Sequence, residues 1–354
     1  MFYKTSYLAT GGCSNHQGIL GVGTRQYFVS EADYLKSLKI LDFLLNKKTY
    51  DEVIKFCEKN NINKSIFDTL VQHNLIVKEN LYVEKKDDLN FKNKLYFHAL
   101  GLNGNALAKE FADTTFVIVG CGGIGNFISF AIGSLSPRKI ELIDGDKIEK
   151  SNLNRQFLFT ENDIGKYKVD VLKKNLVERN NKLSISEYKE YVSKEVLHNI
   201  FEQNKKNKTL VILSGDSFSA LSLTAKACVK SEIPFLNIGY LNDISAIGPF
   251  YIPGISSCPF CHNALSISDD ISSGNNESKI LEDRINANNE APSSFTNNAL
   301  AASMGMADII EFLSHNYERI NSLNKRFGIN SATFEKYVLE VNRDRKCEIC
   351  SHGE

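Results

Sequence analysis

The run Val119-Gly120-Cys121-Gly122-Gly123-Ile124-Gly125 follows the apolar segment Phe116 to Val119 and precedes a helical stretch. It therefore places GxGxxG at a strand-to-helix turn, where glycines let the backbone approach phosphates and the helix N-terminus favours anions. Asp144 closes the next apolar run, Ile140 to Ile143, about 20 residues on, the position that bonds a ribose hydroxyl in dinucleotide folds. Further short apolar runs at Leu210 to Leu213 and Phe235 to Ile238 alternate with helical patterns at Ile164 to Arg179 and Phe218 to Lys230. Such runs are the mark of buried parallel strands. The expected fold class is α/β, a doubly wound, Rossmann-like parallel sheet.

The first ~85 residues read differently. Residues 1 to 30 suggest strand, Gly-rich turn and strand. Ser30 with Asp33, Thr49 with Glu52, and Asn63 are helix-start signals. Tyr34, Leu38, Leu41 and Leu45 recur at helical spacing, and Leu75 to Val77 with Leu81 to Val83 suggest a hairpin around Lys78, Glu79 and Asn80. Strands with three short helices predict a small winged-helix-like α+β module over 1–85. It serves either as a docking site or as a dimerisation or capping unit. Residues 86–110 follow as linker and helix, and the α/β domain occupies 111–354. Within it, 264–296 is rich in Ser, Asn and Asp and reads as a long loop.

Lysine plus arginine and aspartate plus glutamate number 42 each, so the formal net charge is zero. That balance gives no general reason to expect nucleic acid or an anionic membrane as partner. No apolar run approaches the ~20 residues of a membrane-spanning helix, and the N-terminus lacks a secretory pattern, so the expected location is cytoplasmic. Four of the eight cysteines form Cys258-Pro-Phe-Cys261 and Cys347-Glu-Ile-Cys350. Two CxxC pairs match a tetrahedral tetrathiolate zinc site. A site of four thiolates has no open coordination position, so the zinc is structural.

The glycine loop alone does not separate NAD from ATP. Ser151-Asn152-Leu153-Asn154-Arg155-Gln156 and Gly165-Lys166-Tyr167-Lys168 do. A hydride-transfer enzyme has no use for two cations beside the phosphates. An enzyme that expels pyrophosphate does, because a fixed guanidinium and ammonium stabilise charge on the leaving oxygens. Taken singly, Arg155 and Lys168 are also readable as solvated surface charges.

The segments VGCGGIGN, LIDGD, SNLNRQ and GKYK, in this order and spacing, resemble the adenylation domain of the ubiquitin-activating, ThiF and MoeB superfamily. The resemblance runs from about Thr115 to the C-terminus. It implies that Gly120, Gly122, Gly123, Gly125, Asp144 and Asp146 hold ATP. It also implies that Asn152, Arg155 and Lys168 orient and neutralise the triphosphate, with Gln156 beside them. The superfamily's magnesium-binding aspartate maps onto Asp216, and its zinc onto the four cysteines. A carboxylate suits Mg²⁺, which takes hard oxygen ligands.

Many superfamily members pass the acyl group to a cysteine in the crossover loop. Residues 264–296 contain none, and the cysteines outside the zinc set are Cys13, Cys57, Cys121 and Cys228. A thioester intermediate is therefore not expected. Over the whole length, including Gly239-Tyr240-Leu241-Asn242-Asp243 and Gly248-Pro249, the chain looks like the peptide-modifying branch of microcin C and pantocin type. That resemblance implies a short ribosomal precursor peptide as substrate, an N-terminal peptide clamp and a homodimer. Two chemistries remain open: attachment of the nucleotide to the peptide, and activation of a glutamate followed by cyclisation. Lys92 and Lys94 are the nearest candidates for the superfamily's partner-subunit arginine, though a lysine lacks the bidentate fork. The alternatives are adenylation of a sulfur-carrier protein's Gly-Gly tail, a non-catalytic nucleotide-binding protein and an NAD-dependent oxidoreductase.

Overall fold

The computed structural model describes residues 1–15, 17–84, 88–215, 217–263 and 276–350. The chain divides into two compact units, Met1–Lys109 and Glu110–Glu354.

In the first unit, β1 (Phe2–Thr5) is followed by β2 (Gly11–Ser14), β3 (Gln17–Leu20) and β4 (Tyr27–Ser30). Then come α1 (Glu31–Phe43), β5 (Lys48–Thr49), α2 (Tyr50–Lys59), α3 (Lys64–Gln72) and β6 (Ile76–Lys78). The caps read from sequence form: the Ser30 hydroxyl accepts from Asp33 N, Thr49 and Glu52 make a reciprocal box, and Asn63 accepts from Ser65 N. Three helices and the antiparallel sheet β5-β1-β6 make the winged-helix-like α+β module, beside a second antiparallel sheet, β2-β3-β4. Ile40, Leu44, Val53, Phe67 and Leu70 fill its core. The buried stripe of α1 runs through Ile40, Leu41 and Leu44, whereas Leu45 is exposed. The expected hairpin is corrected: Glu79–Leu81 is a single 3₁₀ turn. β6 pairs with β1 instead, Thr5 opposite Ile76. Helices α4 (Phe91–Ala99) and α5 (Gly104–Asp113) occupy the segment read as linker and helix.

The second unit opens with β7 (Thr114–Val119), α6 (Gly123–Gly133), β8 (Lys139–Ile143), α7 (Lys168–Arg179) and β9 (Ile185–Tyr188). It continues with α8 (Lys194–Gln203), β10 (Lys208–Leu213), α9 (Phe218–Lys230), β11 (Phe235–Leu241) and β12 (Ile244–Tyr251). Helices α10 (Asn276–Ala287) and α11 (Phe295–Leu313) and strands β13 (Lys325–Asn330) and β14 (Lys336–Glu340) complete it. One sheet orders these strands β14-β13-β12-β11-β10-β7-β8-β9. Strands β9 to β11 run parallel, with β7 buried along its whole length.

The chain leaves β7 first toward β8 and β9, then returns on the other side through β10. That switch opens a crevice at the carboxyl ends of β7 and β10. The four strands read from sequence are parallel, and beyond β11 the sheet continues antiparallel through β12, β13 and β14. Only Asn242 and Asp243 separate β11 from β12, and so short a turn permits only an antiparallel return. Asn242 supplies the positive φ of 53° that the turn requires.

Two boundaries also move. The helix expected from Ile164 begins at Lys168, because Gly165 adopts φ 86° and ends the preceding turn. Within the expected loop 264–296, residues 276–287 are helical. Residues 288–294 are irregular and α11 begins at Phe295, whereas 264–275 lie outside the described residues. Among the described residues no helix is long and apolar enough to cross a membrane.

Candidate functional site

Gly120 leaves β7 at φ 91°, a left-handed conformation that side chains disfavour. A Cβ there would also stand 2.8 Å from the Gly215 amide nitrogen, so the turns after β7 and β10 touch backbone to backbone. Gly122, the N-cap of α6, is the open position: its nearest neighbour would be Gln156 Nε2 at 3.8 Å. Gly123 and Gly125 begin α6, packed against Asn298 and the Gly120 carbonyl. The free amides of the α6 N-terminus thus face a crevice with room for an anion at Gly122.

Two carboxylates frame that crevice. Asp144 accepts from Cys121 N at 2.7 Å and from Asp146 N at 2.8 Å, so both its oxygens bind backbone amides and it staples the glycine loop to the end of β8. Burial pushes its carboxyl up, against the pull of the Lys168 charge and the two amides. Asp146 accepts from Lys168 Nζ at 2.7 Å and from the Tyr191 hydroxyl at 2.6 Å. Burial works to raise this carboxyl too, but those hydrogen bonds and the Lys168 charge outweigh it and hold it below its usual range.

Lys168 is the first residue of α7 and is buried. Its ammonium is held at the crevice by Asp146. Arg155 donates from Nη1 to Ser151 O at 3.1 Å and to Asn154 Oδ1 at 2.9 Å, and no salt-bridge carboxylate meets it among the described residues. Its own motif therefore aims the guanidinium and leaves its charge uncompensated. Asn152 is buried and its Oδ1 accepts from Glu149 N at 3.0 Å. Gln156 is 2% exposed, and its Oε1 has no hydrogen-bond partner among the described residues. Leaving such a buried acceptor unpaired costs ~1–3 kcal/mol, which a bound donor would recover.

These residues line one cavity of about 370 Å³. Arg155, Lys168, Asn152 and Gln156 meet there with the glycine loop, Asp144 and Asp146. A second cavity of about 530 Å³ shares Gly120, Asp144, Asp146 and Gly215 and extends past Tyr191 and Val192. Sequence reasoning did not find Tyr191 or Asn298, which also line these cavities, as does Tyr240. No spacing rule ties Tyr191 and Asn298 to the motifs; only the fold brings them near. Asn154 carries a related link, donating to Ser293 O at 3.2 Å just before α11. A larger cavity of about 600 Å³ lies at the opposite, amino ends of β7 and β10 and contains none of these residues. It lacks a glycine loop and helix N-terminal donors, so it offers nothing for a triphosphate.

The four CxxC sulfurs form a second centre. Cys258, Cys261, Cys347 and Cys350 place their sulfurs within 4.8 Å of one another. Measured pairs are 3.6 Å (Cys258–Cys347), 3.9 Å (Cys258–Cys261) and 3.4 Å (Cys261–Cys350). A tetrahedron with Zn–S of ~2.3 Å has edges of ~3.8 Å, so the set fits zinc, and the separations are too long for disulfides. The hydrogen bond that Cys258 and Cys261 share lowers the Cys261 thiol and raises the Cys258 thiol, so the pair keeps one proton that a bound metal would displace. Three of the four cysteines belong to the buried core formed with Phe235, Tyr251 and Val341, so a metal here would fasten the C-terminal segment to that core.

Asp216, the expected magnesium ligand, lies outside the described residues. Lys94 is paired with Asp88 at 2.7 Å, and Lys92 stands over the Phe91 ring at 5.7 Å. Both belong to the first unit.

The ThiF family model matches residues 92–350. Ubiquitin-activating enzyme E1 2 of Arabidopsis thaliana is 30% identical over 171 residues, 46% of this chain and 16% of that protein. The tRNA threonylcarbamoyladenosine dehydratase of Bacillus subtilis is 26% identical over 144 residues, 40% of this chain and 56% of its own length. The chain thus spans only part of these relatives. Likeness to solved structures covers far more. E. coli MccB with AMPCPP and MccA superposes with a TM-score of 0.85 and 27% identity, over 99% of this chain and 100% of that one. Microcin C7 biosynthetic enzyme MccB in complex with N-formylated MccA matches at 0.83 and 27% over the same shares. PaaA matches at 0.66 and 17%, over 95% and 99%, a likeness of fold alone.

Proposed function

The chain belongs to the ThiF family and carries the site of an ATP-dependent adenylyltransferase; from that premise we propose that it adenylates a carboxylate on a short, ribosomally made precursor peptide. The observation that carries this reading is the likeness to MccB over 99% of the chain, which takes in the N-terminal module as well as residues 92–350. In this reading the module is the peptide clamp, the enzyme is a cytoplasmic homodimer, and the product enters a peptide-derived antibiotic.

The chemistry follows from the crevice. A substrate carboxylate oxygen attacks the α-phosphorus of ATP, the bond from that phosphorus to the β-bridging oxygen breaks, and pyrophosphate leaves with the electron pair. Negative charge then grows on the departing oxygens. Arg155, unpaired and aimed by Ser151 and Asn154, and Lys168, held by Asp146, are the groups placed to meet it. Fixed cations of this kind stabilise developing charge without reorganising. The α6 amides at Gly122 hold the phosphate oxygens, Asn152 and Gln156 orient them, and Asp146 with Tyr191 borders the ribose. Asp216 is the ligand assigned to Mg²⁺. The four cysteines would hold zinc, whose part is structural.

The test is AMP and pyrophosphate release from ATP with the peptide encoded beside the gene, followed by mass spectrometry. A peptide that gains AMP means nucleotide attachment; AMP release with a peptide lighter by water means cyclisation. Turnover only with a Gly-Gly-tailed carrier protein would replace the peptide reading with the carrier-protein one. That second reading is favoured by the likeness to the adenylyltransferase and sulfurtransferase MOCS3 of Culex quinquefasciatus, 26% identical over 47% of this chain.

A further inference from the structure

Three successive carbonyls leading into α11 are each met by an asparagine amide. Pro292 O accepts from Asn297 Nδ2 at 3.1 Å, Ser293 O from Asn154 Nδ2 at 3.2 Å, and Ser294 O from Asn298 Nδ2 at 2.7 Å. Asn297 and Asn298 belong to α11 itself. Asn154 does not: it comes from the SNLNRQ segment, one residue before Arg155. Residues 288–294 form no regular element, so these amides fix the course of the chain just before the helix. Asn154 also works at both ends. Its Oδ1 accepts from Arg155 Nη1 at 2.9 Å while its Nδ2 donates to Ser293 O. A carbonyl can only accept and a guanidinium can only donate, so the amide has a single orientation that serves both.

We propose that segment 292–294 is a latch that sets the aim of Arg155, with Asn154 as the relay and positioning residue. The inference rests on the adenylation reading above for what Arg155 meets. With Ser293 in place, the Asn154 amide is held and presents its oxygen to the guanidinium. Without it, an exposed asparagine is free to turn, and Arg155 keeps only its bond to Ser151 O. The latch has a fixed base. Asn297 Nδ2 also donates to Asn242 O at 3.0 Å in the turn between β11 and β12, and Ser293 Oγ accepts from Asn298 Nδ2 at 3.0 Å. Asn298 is buried against the glycine loop, where a Cβ on Gly123 would collide with its Oδ1. Phe157, two residues past Arg155, stacks on Phe127 of α6 at 4.6 Å, and Phe295 meets the same ring edge-on at 5.3 Å. That contact keeps the two segments within reach of the Asn154 bond.

The bond from Asn154 to Ser293 lies at the surface, where one neutral hydrogen bond adds little to stability. Its use is therefore orientation. Charge appears on the departing oxygens during the reaction, and a cation slightly out of place there forfeits much of its effect. The latch should accordingly act on turnover and on pyrophosphate, which carries the new charge, more than on ATP.

The test uses the full chain and reads peptide-dependent pyrophosphate release at saturating ATP, the ATP KM, calorimetric affinity for inorganic pyrophosphate, and the melting temperature. Asn154→Ala should slow release by roughly tenfold and weaken pyrophosphate by a similar factor, with the ATP KM and the melt near wild type. Asn154→Gln, which keeps a donor and an acceptor, should recover part of the loss. Asn297→Ala frees the segment without touching Arg155 and should reproduce the loss. If that variant melts early, Ser293→Ala, which lacks the hydroxyl held by Asn298, takes its place. With Arg155 already alanine, Asn154→Ala should add nothing. A loss that persists in that background makes Asn154 structural and overturns the latch. So does a full rate in Asn154→Ala, or a loss there that freeing the segment does not share. A wild type that releases no pyrophosphate with the peptide sinks the adenylation reading instead, and the pyrophosphate affinities then decide the latch alone.

Discussion

Lys168 Nζ lies 2.7 Å from Asp146 Oδ2, and the same carboxylate accepts the Tyr191 hydroxyl at 2.6 Å. The ammonium that lines the crevice is thus positioned by an acid two residues beyond the one that staples the glycine loop. The two acids shift oppositely, Asp144 up and Asp146 down. For Asp146 the stability from its partners is complete above the ordinary value of 3.8 and is lost as pH falls through its lower folded value. For Asp144 the sign reverses, and stability rises as pH falls through its raised folded value toward 3.8. Carboxylate titrations by NMR, comparing wild type with Asp146→Asn and Asp144→Asn, should find Asp144 above Asp146. The opposite order would refute the assignment of the Lys168 pair.

Arg155→Ala is expected to lower peptide-dependent pyrophosphate release by ~10²–10³-fold with an unchanged melting temperature, because its guanidinium bonds only its own motif. Arg155→Lys should recover part of the loss, since it keeps the charge but not the fork. Asp216→Ala should likewise abolish turnover without unfolding the protein. Loss of the fold in both alanine variants would make these residues structural.

Gly122→Ala and Gly120→Ala should separate ligand from fold. At Gly122 the added methyl meets nothing closer than 3.8 Å, so thermal stability should hold while the ATP KM rises steeply. At Gly120 the methyl meets Gly215 at a positive φ, so the protein should lose ~1–3 kcal/mol of stability. Thermal melts paired with nucleotide titrations read both.

Metal analysis should find one zinc per chain. Chelation, or Cys347→Ser, should lower the melting temperature and expose the C-terminal segment to protease, because the sulfurs close onto the core around Phe235 and Tyr251. Activity should fall only as the folded fraction falls. A direct loss of turnover in still-folded protein would give the metal another role.

The parallel half of the sheet was legible because buried strands read as unbroken apolar runs, such as Phe116 to Val119. The antiparallel half was not, because β14 is exposed on both faces and carries no alternation to read. The pairing of β6 with β1 was hidden for another reason. Ile76 meets Thr5 across the whole module, and a local hairpin explains the same apolar residues equally well from sequence. In the site, the motifs named Asn152, Arg155, Gln156 and Lys168, and the structure gathers these with the glycine loop, Asp144 and Asp146 at one crevice. Tyr191 and Asn298 escaped because they sit in segments without a motif, delivered by the loop after β9 and the first turn of α11. The amide bonds to both oxygens of Asp144 were not legible either, since only the fold brings Cys121 N and Asp146 N to them.

The cysteine cluster also sets an order of events during synthesis. Cys258 and Cys261 leave the ribosome long before Cys347 and Cys350, and two sulfurs do not make the four-coordinate site. Until the second pair emerges, Val341 and Cys347 are missing from the core they share with Phe235 and Tyr251. The glycine loop, the SNLNRQ segment and Lys168 all lie upstream, so the crevice is translated well before the clasp behind it can shut. Metal capture would then act as the closing signal of folding, and a chain stopped short of Cys350 would display its nucleotide motifs on a domain still open to a protease.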